Sequence, residues 1–231
     1  MLRIKLGLLA MAFLALAVPS TARCQSVADG GQWTALFSQG DFEAGPSPLK
    51  WWFDGHVRLL DDTDGFNQSI VRPGIGWSLS EDLVVWGGYG WIHTSPVSGN
   101  NFDEHRIWQQ VTWSRGDELR TIALRSRLEQ RFLETGDDVG WRFRQLARFQ
   151  HQMPNMPRLS FVAWDEIFFN LGDTDWGAES GFDQNRVFVG FGWKHHPESR
   201  LRTEIGYLNQ TIDLPTAGDR VNHILSVNFF Y

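Results

Sequence analysis

Arginine and glutamate fall at alternate positions in several stretches of the chain, and that spacing bears directly on chemistry. Between Thr121 and Leu133, the residues Arg125, Arg127, Glu129 and Arg131 share one phase, while Ile122, Leu124, Leu128 and Phe132 share the other. On a helix these charges would spread around the axis, whereas on a strand they fall on one side. Arg142, Arg144 and Arg148 repeat the pattern against Trp141, Phe143, Ala147 and Phe149, and Glu104, Arg106, Glu166 and Arg186 take the same inward register. Guanidinium groups held this way either clasp carboxylates in forked pairs or, where they are in surplus, hold or pass anions. The first reading of the set is a structural ladder of arginine–carboxylate bridges filling a lumen. The second is a narrow conduit or binding site for anions.

Signatures of catalysis are sparse. The chain has no Gly-x-Ser-x-Gly elbow, no His-Glu-x-x-His, no phosphate loop and no cysteine-based metal site, so neither a cofactor nor a metal is expected. His195-His196 stands beside Pro197 and reads as a turn. One alternative remains in His93-Thr94-Ser95. His93 and Ser95 share a strand face and follow Tyr89 and Trp91, which resembles the placement in membrane-embedded lipid A deacylases, where a histidine activates a serine on the barrel surface with an acidic partner. Glu104 would have to supply the acid, and its inward phase argues against that role.

The elements that must position these groups are strands. Candidate strands cover approximately 32–38, 49–59, 66–77, 82–93, 103–114, 121–133, 141–150, 158–170, 183–194, 200–211 and 220–231, separated by polar turns such as Asp61-Asp62-Thr63-Asp64-Gly65 and Glu134-Thr135-Gly136-Asp137. Many are longer than the five or six residues usual in soluble sheets and match the length of tilted strands that cross a bilayer. Composition agrees, with 12 Trp and 17 Phe against 4 Met and a mean hydropathy of only −0.30. Strands with one apolar and one polar face give that mixture. The expected fold is all-β, an antiparallel transmembrane β-barrel. Eleven candidates are an odd number, and single-chain bacterial barrels normally have an even one, so ten or twelve strands are expected, with the short first strand or the stretch 39–48 misjudged. Counted back from a periplasmic C-terminus, the loops near 95–102, 134–138, 171–181 and 212–219 fall outside the cell. The net charge of −6 without a basic block argues against nucleic acid as a partner.

The two ends of the chain point to export. Arg3 and Lys5 precede an apolar run from Leu6 to Val18 and a small-residue site at Ser20-Thr21-Ala22, the pattern of a signal peptide over residues 1–22 cleaved after Ala22 or Cys24. Residues 25–231 then form a single barrel domain. In the last segment Val221, Leu225, Val227, Phe229 and Tyr231 alternate with polar residues, and Phe229 and Tyr231 resemble the signal read by the outer-membrane assembly machinery. That machinery and outer-membrane lipids are the expected partners, and the bacterial outer membrane the expected location; oligomeric state is left open.

The early Trp33 strand, Val71-Arg72-Pro73-Gly74-Ile75-Gly76, Gly87-Gly88-Tyr89-Gly90-Trp91, Glu104-His105-Arg106-Ile107-Trp108-Gln109-Gln110, Arg125 to Phe132, Asp165-Glu166-Ile167-Phe168-Phe169-Asn170 and Phe182-Asp183-Gln184-Asn185-Arg186 follow in an order that resembles the barrel family catalogued as domain of unknown function 2490. The resemblance implies a barrel with a charged interior and transfers no catalytic residue.

Overall fold

The computed structural model describes residues 27–42, 47–63, 65–96, 98–196, 198–214 and 218–231; the expected signal peptide, with its cleavage points at Ala22 and Cys24, lies outside them. The described residues form one closed barrel. Its strands are β1 (Val27–Asp41), β2 (Leu49–Leu60), β3 (Gly65–Ser78), β4 (Leu83–Thr94), β5 (Phe102–Gly116), β6 (Arg120–Leu133), β7 (Val139–Met153), β8 (Met156–Asn170), β9 (Gly181–Lys194), β10 (Arg202–Ile212) and β11 (Arg220–Phe230).

The expectation of ten or twelve strands is corrected by the way the wall closes. Each connection reverses the chain, so the first and eleventh strands run in the same direction. They can join only through a parallel ladder, and β1 and β11 form one from Val27↔Arg220 to Phe37↔Phe230. The other neighbours pair antiparallel in sequence order. The first strand is neither spurious nor split; it is longer than expected and supplies the odd member. The connections after β2, β4, β6, β8 and β10 lie at one end of the barrel with the start of β1. The connections after the odd-numbered strands β1 to β9 lie at the other end with Tyr231.

Alternation sets what each strand presents. Ile75, Trp77, Ile107, Phe191, Ile205 and Leu225 are exposed on the outer wall, while Asp54, Arg127, Glu129 and Glu204 are buried inside it. This is the reverse of a soluble domain, in which a large contiguous apolar surface would be a liability. The interior divides into two regions. Trp33, Val162, Phe188, Leu208 and Ile224 form an apolar cluster, with Trp164 stacked on Phe188 at 5.4 Å between ring centres. Elsewhere the interior sets charged side chains beside a second group of aromatics, Trp52, Trp86 and Trp108. Trp108 lies flat across β3 and β4 where both strands carry glycine: a Cβ at Gly88 would stand 2.3 Å from its Cζ2, and one at Gly74 would stand 2.5 Å from its Cη2. Trp108 thereby becomes the platform for Arg127, whose guanidinium carbon is 4.6 Å from the ring centre.

Candidate functional site

Strands β5 to β8 bring three glutamates to the middle of the barrel, each gripped by more than one arginine. Glu104 accepts Arg106 Nε at 2.6 Å and Nη2 at 2.7 Å, and also Arg131 Nε at 2.6 Å and Nη2 at 3.2 Å. Glu129 accepts Arg142 Nη2 at 2.7 Å and Arg144 Nη1 at 2.6 Å, with Arg106 and Arg127 each 3.7 Å away. Glu166 accepts Arg144 Nη2 and Arg125 Nη2, both at 2.8 Å. Arg144 thus bridges Glu129 and Glu166, and Arg106 links Glu104 to Glu129, so the three clusters form one sheet of charge across the lumen. The ring of Phe168 packs against it, with the guanidinium carbons of Arg142, Arg144 and Arg186 at 5.4, 4.5 and 4.6 Å from its centre. Contacts of this kind are worth roughly 0.5 to 2 kcal/mol each.

Burial makes the pairing obligatory. Taking a charge out of water costs several kcal/mol, and stranding it by removing its partner costs about 3–5 kcal/mol. Glu129 has no exposed surface at all, and Arg127 only 1 %. Two vestibules flank the network, one of about 770 Å³ toward Tyr231 and one of about 320 Å³ toward the opposite end. Trp33, Arg58, Arg72, Arg144 and Arg186 line both and form the partition between them.

The structure brings the arginines and glutamates of the alternating stretches into one lumen, with one displacement: Arg148 turns toward the Tyr231 end and clasps Glu204. Several partners were not singled out by the sequence. Arg72 Nε donates to Asp54 Oδ1 at 2.6 Å, Arg142 Nη1 reaches Asp183 at 3.3 Å, and Arg220 joins Asp29 at 2.7 Å. The signal was present for Asp54 and Arg58, which alternate with Phe53 and Val57 in β2. It was absent for Glu204, a lone acid without an alternating run.

Residues 30–222 match the family described as "Protein of unknown function (DUF2490)". The chain belongs to that family. An uncharacterised protein of Methylorubrum extorquens is 34% identical over 220 residues, covering 93% of this chain and 92% of the relative. Among solved structures, the chain is similar to OmpT of Vibrio cholerae, an outer membrane protein. The in-vitro folded trimer form matches with a TM-score of 0.42 at 14% identity over 74% of this chain, and the outer-membrane expressed form with 0.41 at 14% over 71%. The chain spans 57% and 55% of the lengths of those two structures.

The remaining candidates in this family member lie on the outer wall. His93 Nδ1 is 2.6 Å from Asp103 Oδ1, and Trp91 Nε1 donates to Asp103 Oδ2 at 3.0 Å. The acid at His93 is therefore Asp103, while Glu104, one residue later, points inward to its two arginines. Ser95 is placed by backbone bonds, its N–H donating to Asn67 O at 2.7 Å and its carbonyl accepting Asn67 Nδ2 at 3.3 Å. His93 and Asp103 thus form a dyad that Ser95 does not join. His195 Nε2 lies 2.8 Å from Thr203 Oγ1, and His196 Nδ1 accepts the N–H of Glu198 at 3.3 Å within the turn. At the last strand, Phe229 and Tyr231 are exposed, and Tyr231 N–H donates to Phe37 O at 2.9 Å.

Proposed function

We infer that this is an outer-membrane barrel whose lumen is closed at mid-height, a structural wall protein with two vestibules and no open conduit. The observation that carries this reading is the bridging of Glu104, Glu129 and Glu166 by shared arginines, which leaves the central carboxylate without exposed surface. The exposed apolar wall supports a bilayer as its surroundings, since each outward strand position that is Ile, Leu, Val or an aromatic is solvated favourably only by lipid. Phe229 and Tyr231 on an alternating last strand support the assembly machinery as a partner, and Tyr231→Asp should lower the amount assembled more than the amount exported.

Planar bilayers test the closed lumen. The parent protein should insert without stable conductance steps, and Glu129→Ala combined with Arg144→Ala should produce them. Discrete, ion-selective steps from the parent would replace this reading with a conduit.

A further inference from the structure

The partition is paired except on the side facing β1. Arg58 and Arg186 are 8% and 9% exposed, and among the described residues neither has a carboxylate oxygen within ion-pair distance. Their hydrogen bonds go to neutral amides: Arg58 Nη1 donates to Gln68 Oε1 at 2.8 Å, and Arg186 Nε to Gln184 Oε1 at 3.0 Å. Arg58 Nε is buried with no partner. Both guanidinium groups stand over the same indole, their carbons 4.0 and 5.0 Å from the centre of the Trp33 ring. Their neighbours in the partition differ, since Arg72 has Asp54 and Arg144 has Glu129 and Glu166.

Two buried guanidinium groups close to one ring, with no carboxylate in contact with either, leave donors that an anion would complete. Forked N–H donors fit the paired oxygens of a carboxylate or phosphate. The larger vestibule begins at these two arginines and is walled by Trp33, Trp52, Trp86 and Trp164, and its volume of about 770 Å³ falls in the range of small-molecule pockets. We propose that Arg58 and Arg186 form an anion-binding site, whose ligand is an organic anion with its carboxylate or phosphate head between the two guanidinium groups and its apolar body among the tryptophans of the larger vestibule. The proposal rests on the lumen being partitioned, and binding is read separately from conductance.

Calorimetric titration of the purified barrel in zwitterionic detergent tests it, with benzoate and phenyl phosphate as probes, benzamide as the neutral match for benzoate, and inorganic phosphate as the head alone. Benzoate and phenyl phosphate should bind one per barrel, benzamide at least about tenfold more weakly, the order expected for losing a charge-assisted contact. Arg58→Gln and Arg186→Gln should each weaken benzoate by at least about tenfold, and Arg186→Lys should restore part of the loss. All three variants are checked for assembly by the heat-dependent shift of the barrel on a gel. No carboxylate of the described residues is in ion-pair contact with either position, and Glu166, the buried acid near Arg186, keeps Arg125 and Arg144 at 2.8 Å when Arg186 is changed.

Equal binding of benzoate and benzamide, or Gln variants that assemble and bind as the parent does, would overturn the site. Inorganic phosphate binding as tightly as phenyl phosphate would overturn the role of the vestibule. A parent that conducts yet shows the charge-dependent binding would remove the closed-lumen reading and leave the anion site standing.

Discussion

Arg144 reaches Glu129 across the β6–β7 wall, Nη1 to Oε1 at 2.6 Å, and this short bond holds the middle of the charge network. Glu129 also meets Arg142 at 2.7 Å and is fully buried. Glu129→Gln keeps the shape and removes the charge that several guanidinium groups share. The loss should be of the order of 3–5 kcal/mol, seen as a lower melting temperature by circular dichroism. Leu128→Ala, one residue away on the outer face, should cost much less. Equal melting temperatures for Glu129→Gln and the parent would show that the network does not stabilise the barrel.

Gly88 and Gly87 are neighbours on β4 with opposite surroundings. A Cβ at Gly88 would meet Trp108 at 2.3 Å and the carbonyl of Pro73 at 2.4 Å, whereas one at Gly87 has no heavy atom within 4 Å. Gly88→Ala must push Trp108 away from β4 and so disturb the platform it gives Arg127, an overpacking cost of about 1–3 kcal/mol. Gly87→Ala should stay within about 0.5 kcal/mol of the parent. The fraction migrating as folded barrel on an unheated gel, measured across a temperature series, separates the two. Similar losses for both would indicate that β4 fails through the backbone and not through the tryptophan.

How far the sequence carries can be judged from these same residues. The inward phase of Arg125, Arg127, Glu129 and Arg131 was legible because period two over many residues has one physical solution, a strand with two unlike faces. Arg72 was not, since Pro73-Gly74 interrupts the alternation beside it. Pairing was hidden too: Arg148 meets Glu204 56 positions away and Arg220 meets Asp29 191 positions away, contacts made by closure and invisible to local spacing. The acid at His93 was misplaced by one residue for a related reason. Period two assigns Asp103 and Glu104 to opposite faces, but only the β4–β5 register, with His93↔Asp103, says which one lies beside His93.

The loop after β8 is clasped to the loop after β6 through Asp175, whose carboxylate accepts the backbone N–H groups of Asp137 at 2.9 Å and Asp138 at 3.2 Å. The N–H of Asp137 contributes most to holding its carboxyl below the usual carboxylate range. A folded-state pKa that is depressed gives a contribution present above the unfolded pKa and lost as pH falls through the folded one. The clasp should therefore be intact at neutral pH and open on acidification. Trp176, seated against Gly140 and over Arg131 at 4.9 Å, should loosen with it. Amide exchange of Asp137 and Asp138, corrected for the intrinsic pH dependence, should speed up at low pH in the parent. In Asp175→Asn it should be fast at every pH. Protection unchanged by acid in the parent would show that the Asp175 carboxylate does not hold the clasp, leaving it to the Asp175 N–H on the Asp138 carboxylate and the Trp176 Nε1–H on the Asp138 carbonyl.

The parallel seam between β1 and β11 is the least expected feature, and its register can be trapped chemically. Thr34 pairs with Val227 across the seam, in phase with the outward residues Leu36 and Leu225. Adjacent strands bring paired Cα atoms within the roughly 4.4–6.8 Å that a disulfide spans. In a background where Cys24, the one cysteine of the chain, is replaced by Ser, Thr34→Cys with Val227→Cys should oxidise readily. The bond should link the first and last strands into a covalent ring that keeps a fast gel mobility after boiling and loses it on reduction. Thr34→Cys with Leu225→Cys, two residues off register, lengthens the separation beyond that span and should form the bond slowly. An open seam would form neither bond readily. If β11 ran antiparallel to β1, moving the cysteine along β11 would have to be matched by moving its partner the opposite way along β1, so walking both cysteines up the two strands together distinguishes the arrangements. Thr34 with Val227 and Leu36 with Phe229 should both cross-link in the parallel seam, whereas an antiparallel one permits at most one of the two.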